Sequence, residues 1–114
     1  MCSKWTCRKG KNKTLKWKFY IDEPGEKWVN VSYSFQQNTT SCNVTIKTAN
    51  IELTHNVTNT GKTVGEPNQN WVIDNFKPNR LGKINFPTNG FYTIELEVKP
   101  GKNDEFKFQW LWLK

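Results

Sequence analysis

The sequence is poor in the groups from which catalytic and metal sites are most often built. Its 114 residues include one histidine and three cysteines, and they contain no glycine-rich phosphate loop and no nucleophile-elbow serine. Three cysteines form no disulfide framework, although a local bridge between Cys2 and Cys7 stays open, and a zinc site would need more ligands at close spacing. No apolar run reaches the roughly 18 residues that span a membrane. We therefore expect neither an enzyme nor a membrane partner, and no metal or cofactor.

Acidic residues are missing from the start of the chain, where none precedes Asp22 while seven cations lie between Lys4 and Lys18. The formal net charge of the whole chain is +7. Such a stretch can attract nucleic acid, anionic lipid or a sulfated glycan, but lysines also keep sheets soluble and their edges unpaired. Only two of the cations are arginine, the residue suited to two-toothed phosphate contacts. The same segment carries no secretion signal, and we expect a domain excised from a longer protein.

The sequence does contain a clear period of two. Apolar side chains occupy every second position over residues 15–21 and again over residues 29–35, with polar side chains between them. Because successive side chains of a strand point to opposite faces, each run predicts a strand with one buried and one solvated face. Residues 22–25, Asp-Glu-Pro-Gly, predict the turn between them. We therefore predict a β-hairpin at this point.

The same pattern continues to the C-terminus without a convincing helix. Further predicted strands cover residues 42–48, 50–57, 71–76, 80–86, 91–98 and 105–113. The polar stretch at residues 58–70 predicts a long loop. In the last strand, strict alternation would place the four large rings on one face: Phe106, Phe108, Trp110 and Trp112.

About eight strands predict an all-β fold, an antiparallel β-sandwich or jelly roll. We divide the chain into a basic N-terminal segment at residues 1–14 and a single sandwich domain at residues 15–114. Leu111 and Leu113 make the end of the last strand apolar on both sides. A strand covered on both faces indicates docking against another domain, or cover by the N-terminal segment around Trp5.

The groups that could act in catalysis fit structural roles better. His55 has the inward parity of its strand, which predicts a hydrogen-bonded histidine at the edge of the core. Glu95 and Glu97 alternate with apolar residues, as carboxylates on a solvated strand face do, which disfavours a glycosidase pair. Cys42 has inward parity and is predicted to be a small core residue.

A carbohydrate site is the better-supported kind of site. Flat aromatic rings stack on the apolar face of a sugar, and planar polar groups bond its hydroxyls. Trp71, with Asn70 before it and Asp74 and Asn75 after it, is part of the densest mixture of ring and planar polar groups in the chain. Trp5 is a second candidate ring. Weaker candidates are the outward-facing Tyr20 and Trp28.

The turn and core motifs follow one another in a characteristic order. They are Trp17-Lys-Phe-Tyr-Ile, Pro24-Gly25, Trp28-Val-Asn-Val-Ser-Tyr, Thr60-Gly61, Gly82-Lys-Ile-Asn-Phe, Gly90-Phe-Tyr-Thr-Ile-Glu-Leu and Trp110-Leu-Trp-Leu. Together they resemble the C-terminal, carbohydrate-binding-module-like domain of bacterial α-L-fucosidases of glycoside hydrolase family 29, over roughly residues 15–113. The resemblance implies a galactose-binding-like jelly roll behind a catalytic barrel, in a secreted or periplasmic enzyme. It also implies that the acid/base and the nucleophile belong to the barrel.

We therefore expect a non-catalytic accessory module of a carbohydrate-active enzyme, which binds a glycan weakly or supports the catalytic domain. The alternative is a secreted immunoglobulin-like adhesion or receptor domain, although no cysteine lies in the C-terminal half to form the usual bridge between sheets. That alternative is favoured by five glycosylation sequons, at Asn12, Asn30, Asn38, Asn43 and Asn56. A single-stranded nucleic-acid binder ranks third, and nucleic acid is not the expected partner.

Overall fold

The computed structural model describes the backbone of residues 2–8, 11–36, 41–61, 64–66, 71–73 and 75–114, and the side chains of residues 6–7, 11–36, 41–61 and 75–114. These residues form ten strands, and none of them forms a helix of the length and apolarity that crossing a membrane requires. In chain order the strands are β1 (Cys2–Arg8), β2 (Lys13–Ile21), β3 (Gly25–Phe35), β4 (Asn43–Thr48), β5 (Ile51–Asn56), β6 (Val64–Glu66), β7 (Trp71–Ile73), β8 (Lys77–Phe86), β9 (Gly90–Lys99) and β10 (Glu105–Leu113).

Two antiparallel four-stranded sheets make up the sandwich. The first sheet has the order β1-β10-β3-β8, and the second has the order β2-β9-β4-β5. The strands β6 and β7 pair separately as a short two-stranded sheet. The predicted all-β sandwich and its count of eight strands are therefore confirmed in the described part of the chain.

The strand arrangement differs from the prediction at two places, the first hairpin and the long loop. The hairpin predicted for residues 15–35 is wrong, because β2 lies in the second sheet and β3 in the first. Alternation reports which face of a strand is buried and not which strand is its neighbour. The strand β6 lies inside the stretch predicted as one long loop, and β1, from the basic segment of residues 1–14, forms an edge of the first sheet.

The core lies between the two sheets and is built from their inward positions. Val29, Val31, Tyr33 and Phe35 of β3 are all buried, as the alternation predicts. Burying each such side chain contributes roughly 1.5–3 kcal/mol. Aromatic pairs join the two layers, since the Trp17 ring lies 5.7 Å from Phe108 and the Phe19 ring lies 5.8 Å from Phe86. Such pairs add specificity to the packing of one sheet on the other.

The outer face of the second sheet carries alternating charges. One row runs across the sheet through Lys16, Glu95, Lys47 and Glu52. Lys16 Nζ lies 4.0 Å from a Glu95 carboxylate oxygen, and Lys99 Nζ lies 3.4 Å from one of Glu97. Opposite charges on neighbouring strands attract modestly at a surface. The carboxylates Glu95 and Glu97 thus lie on a strand face with lysine partners.

The strands β4 and β5 form a tight hairpin. Its two turn residues, Ala49 and Asn50, both have a positive φ, of 51° and 61°. Two successive positive φ angles define the turn geometry that matches the twist of a two-stranded ribbon. Asparagine adopts this conformation readily, whereas alanine does so at a cost.

Candidate binding groove

An irregularity in β10 decides which tryptophans face solvent. The pairing of β10 with β3 shifts between Phe108 and Trp110, so one extra residue lies on β10 at this point. An extra residue reverses the alternation beyond it. Phe106 and Phe108 are buried, but beyond the shift Leu111 is buried and Trp112 is 58% exposed. The prediction that Trp110 and Trp112 share the face of the two phenylalanines is therefore wrong.

Beyond this shift, β10, β3 and β8 present a grid on the outer face of the first sheet, although the β3–β8 pairing also shifts by one residue between Val29 and Asn30. The Trp28 and Lys114 backbones continue the ladder, because each N–H donates to the other's carbonyl at 3.0 Å. By register the three rows of the grid are Trp110, Ser32 and Pro78; Trp112, Asn30 and Arg80; and Lys114, Trp28 and Lys83. The middle row joins an indole, an amide and a guanidinium across three strands.

The Trp28 ring holds two cations against this face. The Arg80 guanidinium carbon lies 4.7 Å from the ring centroid, and Lys83 Nζ lies 4.8 Å from it. Such contacts are favourable because the ring face is electron-rich. Lys83 also lies 3.6 Å from a Glu26 carboxylate oxygen, whereas no carboxylate in the described part of the chain pairs with Arg80. Among the described residues, the guanidinium is thus oriented by an aromatic face and not by an acid.

A shallow groove of about 520 Å³ lies over the grid, and we call it the Trp112 groove. Its volume is in the range of roughly 300–1,000 Å³ that small-molecule sites occupy. Trp110 and Trp112 form its aromatic side, with ring centroids 6.5 Å apart in an edge-to-face arrangement. No carboxylate side chain of the described residues lines it. The lining residues are Asn30, Pro78, Arg80, Trp110, Trp112, Leu113 and Lys114.

A second groove, of about 510 Å³, opens around the end of the sandwich and shares Trp112 with the first. It differs in charge, because Asp22 and Glu23 line it together with Lys27. Near it, Tyr20 is 51% exposed, as its outward parity predicts. The second groove therefore has aromatic side chains too, but it is bordered by acids.

Four of the five sugar-binding residues predicted from the sequence have side chains outside the described part of the structure. Asn70 and Asp74 lie outside the described residues. The Trp71 backbone pairs with Glu66 in the β6–β7 ribbon and the Trp5 backbone pairs with Phe108, but the side chains of both tryptophans lie outside the described part. Their proposed role in sugar binding stays a prediction.

Asn75 is the one member of that set whose side chain is described. It is half-buried, and a Cβ atom added at Gly61 would lie 2.7 Å from Asn75 Nδ2. The amide therefore packs against the Gly61 backbone, and Asn75 does not line the Trp112 groove. The Trp112 groove was not predicted from the sequence. The sequence signal for it is the run Trp-Leu-Trp-Leu at residues 110–113, which is apolar on both faces of the strand and supplies three of the lining residues.

The single histidine has a structural partner. His55 Nε2 lies 2.9 Å from the hydroxyl oxygen of the fully buried Tyr33, as expected of a histidine at the core edge. The Tyr33 hydroxyl also accepts a hydrogen bond from the Thr58 backbone N–H at 3.1 Å. Burial lowers the pKa of His55, which favours the neutral ring. Among the described side chains, the hydrogen-bond partner of the imidazole is thus the hydroxyl of a core tyrosine.

The described cysteines are core residues. Cys7 and Cys42 are both buried and both are free thiols. Burial raises the pKa of Cys42 to about 12, with additional contributions from Asp104 and from Cys7. Burial also raises the pKa of Cys7, whose Sγ donates to the Lys11 carbonyl at 2.7 Å. Such thiols are protonated at neutral pH and react slowly.

An all-β sandwich with one aromatic, basic groove on an outer sheet face is thus the class of structure that this sequence forms. No family model and no curated protein matches the sequence. Among solved structures, an α-L-fucosidase from Vibrio sp. strain EJY3 is similar over 82% of this chain, with a TM-score of 0.52 and 20% identity. The match covers 19% of the fucosidase chain. The expected resemblance to a small domain of a fucosidase is therefore confirmed for the fold.

Proposed function

We propose that this chain is a non-catalytic accessory module of a carbohydrate-active enzyme and that it binds glycans weakly. The observation that carries the proposal is the fold match, which spans most of this chain but under a fifth of an α-L-fucosidase. A protein of that size has room for a catalytic domain beside the sandwich. Secretion or export to the periplasm, where polysaccharides are met, is part of the same proposal.

The described side chains support a binding role over a catalytic one. His55 is bonded to a buried tyrosine, and Glu95 and Glu97 lie beside lysines on a solvated sheet. The Trp112 groove instead combines an exposed indole with amide and guanidinium groups. That is the combination expected of a sugar site, in which rings contact C–H groups and planar polar groups bond hydroxyls. Each stacked ring contributes on the order of 1 kcal/mol, so the dissociation constant should be submillimolar to millimolar.

A glycan-array screen of the purified chain tests the proposal, with Trp112→Ala and Trp71→Ala in parallel. A saccharide that binds the native chain and is lost in one variant supports it and locates the site. Phe91→Ala is the matched control, because Phe91 is a 68% exposed ring on the outer face of the other sheet. A blank array would contradict glycan binding and leave support of a catalytic domain as the accessory role.

A further inference from the structure

Arg80 of the Trp112 groove pairs with no described carboxylate side chain, whereas lysines of the opposite face do pair with carboxylates. On the second sheet, Lys16 and Lys47 stand beside Glu95 in register across the strands. In the Trp112 groove, Arg80 lines the surface and no described carboxylate side chain does. The two grooves are similar in size but differ in the charge of their borders, because Asp22 and Glu23 line the neighbouring groove. An anion would be attracted to the Trp112 groove and repelled from the acids of its neighbour.

The middle row of the grid has the spacing that a short anionic saccharide needs. Trp112 and Arg80 are separated by one intervening strand, so their backbones stand roughly 10 Å apart. The half-buried Asn30 lies between them in the row and offers an amide to hydroxyl groups. The contact with the Trp28 ring orients the guanidinium, which reduces the conformational entropy that the Arg80 side chain would lose on binding.

We infer that the Trp112 groove binds an anionic glycan, with a sugar ring stacked on Trp112 and its carboxylate or sulfate paired with Arg80. The inference rests on the proposed function and adds the class of saccharide. Guanidinium matches both anions because its parallel N–H groups form two hydrogen bonds to neighbouring oxygens.

A nucleic acid fits this face less well, although it also carries negative charge. Binders of single strands stack successive bases on several exposed rings along a basic track. In this groove the Trp28 ring is occupied by Arg80 and Lys83, and Trp110 meets Trp112 edge to face. Trp112 is the one tryptophan of the described side chains that is mostly exposed. A single exposed ring beside a cation suits one charged sugar unit better than a run of bases.

The test is a titration followed by NMR chemical shifts of the intact chain, with matched pairs of probes. One pair is a κ-carrageenan tetrasaccharide and the same tetrasaccharide after desulfation, and the other is tetragalacturonate and its methyl ester. We expect the charged member of at least one pair to bind at least about tenfold more tightly than its neutral counterpart. The pair that shows the difference identifies sulfate or carboxylate as the anion.

Variants then locate the binding. We expect Arg80→Gln to lose the preference for the charged probe, Arg80→Lys to keep part of it, and Trp112→Ala to weaken both probes. Lys18→Gln is the matched control, because Lys18 lies 4.9 Å from the Phe91 ring in the equivalent contact on the other sheet. It should bind as the native chain does.

Each other outcome overturns the inference in a recognisable way. Equal binding of charged and neutral probes, lost in Trp112→Ala alone, would contradict the anionic specificity and leave the proposed glycan binding intact. Loss of binding in Lys18→Gln equal to that in Arg80→Gln would show attraction by overall charge. Tighter binding of a thymidine oligonucleotide than of any saccharide probe would overturn both the inference and the proposed function. Absence of binding to all probes would overturn the inference, and the glycan array then decides the proposed function separately.

Discussion

Adjacent residues at the end of β10 should differ sharply in their contribution to stability. Leu111 is fully buried, and replacing such a leucine with alanine costs about 2–5 kcal/mol because it removes apolar contacts and leaves a cavity. Trp112 is 58% exposed and its described ring contact is with Trp110, so Trp112→Ala should cost about 1 kcal/mol. We therefore expect Leu111→Ala to lower the free energy of unfolding by about 1–4 kcal/mol more than Trp112→Ala does.

Urea denaturation followed by circular dichroism measures both values, provided that the slope against urea is the same for each variant. Phe91→Ala is the control for the loss of an exposed ring, since Phe91 is 68% exposed. Strict alternation from Phe108 onward would reverse the order, because it places Trp112 inside and Leu111 outside. A larger loss in Trp112→Ala than in Leu111→Ala would therefore refute the shift of register in β10 and the groove built on it.

Three further predictions concern the core. Tyr33→Phe should cost about 1 kcal/mol in urea denaturation, because the buried Tyr33 loses hydrogen bonds to the half-buried His55 and to the Thr58 backbone N–H. Tyr92→Phe should cost less, under about 0.5 kcal/mol, since its hydroxyl bonds to the exposed Thr88; equal costs would contradict this difference. Burial lowers the pKa of His55 in the folded state below its usual 6.5, so the unfolded state takes up the proton first. Stability should therefore decline as the pH falls below about 6.5. Between pH 7 and 5, the free energy of unfolding measured in urea should decline less for His55→Gln than for the native chain; an equal decline in both would count against this cause. The Cys42 thiol, with its pKa raised to about 12, and the buried Cys7 should resist iodoacetamide at pH 8 until urea is added, as peptide masses would report; rapid alkylation of the folded chain would show that the thiols are accessible.

The sequence predicts the faces of the strands well and their neighbours poorly. Alternation in β2 and β3 reports burial, and both strands have the predicted inward sides. Pairing depends on contacts between distant segments, and so the predicted hairpin is replaced by two strands in different sheets. In β10 a single added residue reverses the faces, and no residue type at that position announces it.

The groove was harder to predict than the fold. Trp112, Asn30 and Arg80 come from three strands far apart in the sequence, and only the register of β10, β3 and β8 brings them into one row. The site chosen from the sequence, around Trp71, relied on local density of aromatic and amide groups. Local density finds sites on a loop, whereas a site on a sheet face is assembled across strands.

The strand order has a consequence for how quickly the chain folds. Within the two large sheets the described pairings join strands that are distant in the sequence, except for the hairpin of β4 and β5. Consecutive strands elsewhere, such as β8 and β9, lie in opposite sheets. Long loops must therefore close before most pairings form, and all-β proteins of this kind fold in milliseconds to seconds. Within the two large sheets, the Ala49–Asn50 turn is the local structure that can form first, so its conformation bears on the rate at which the sandwich is assembled.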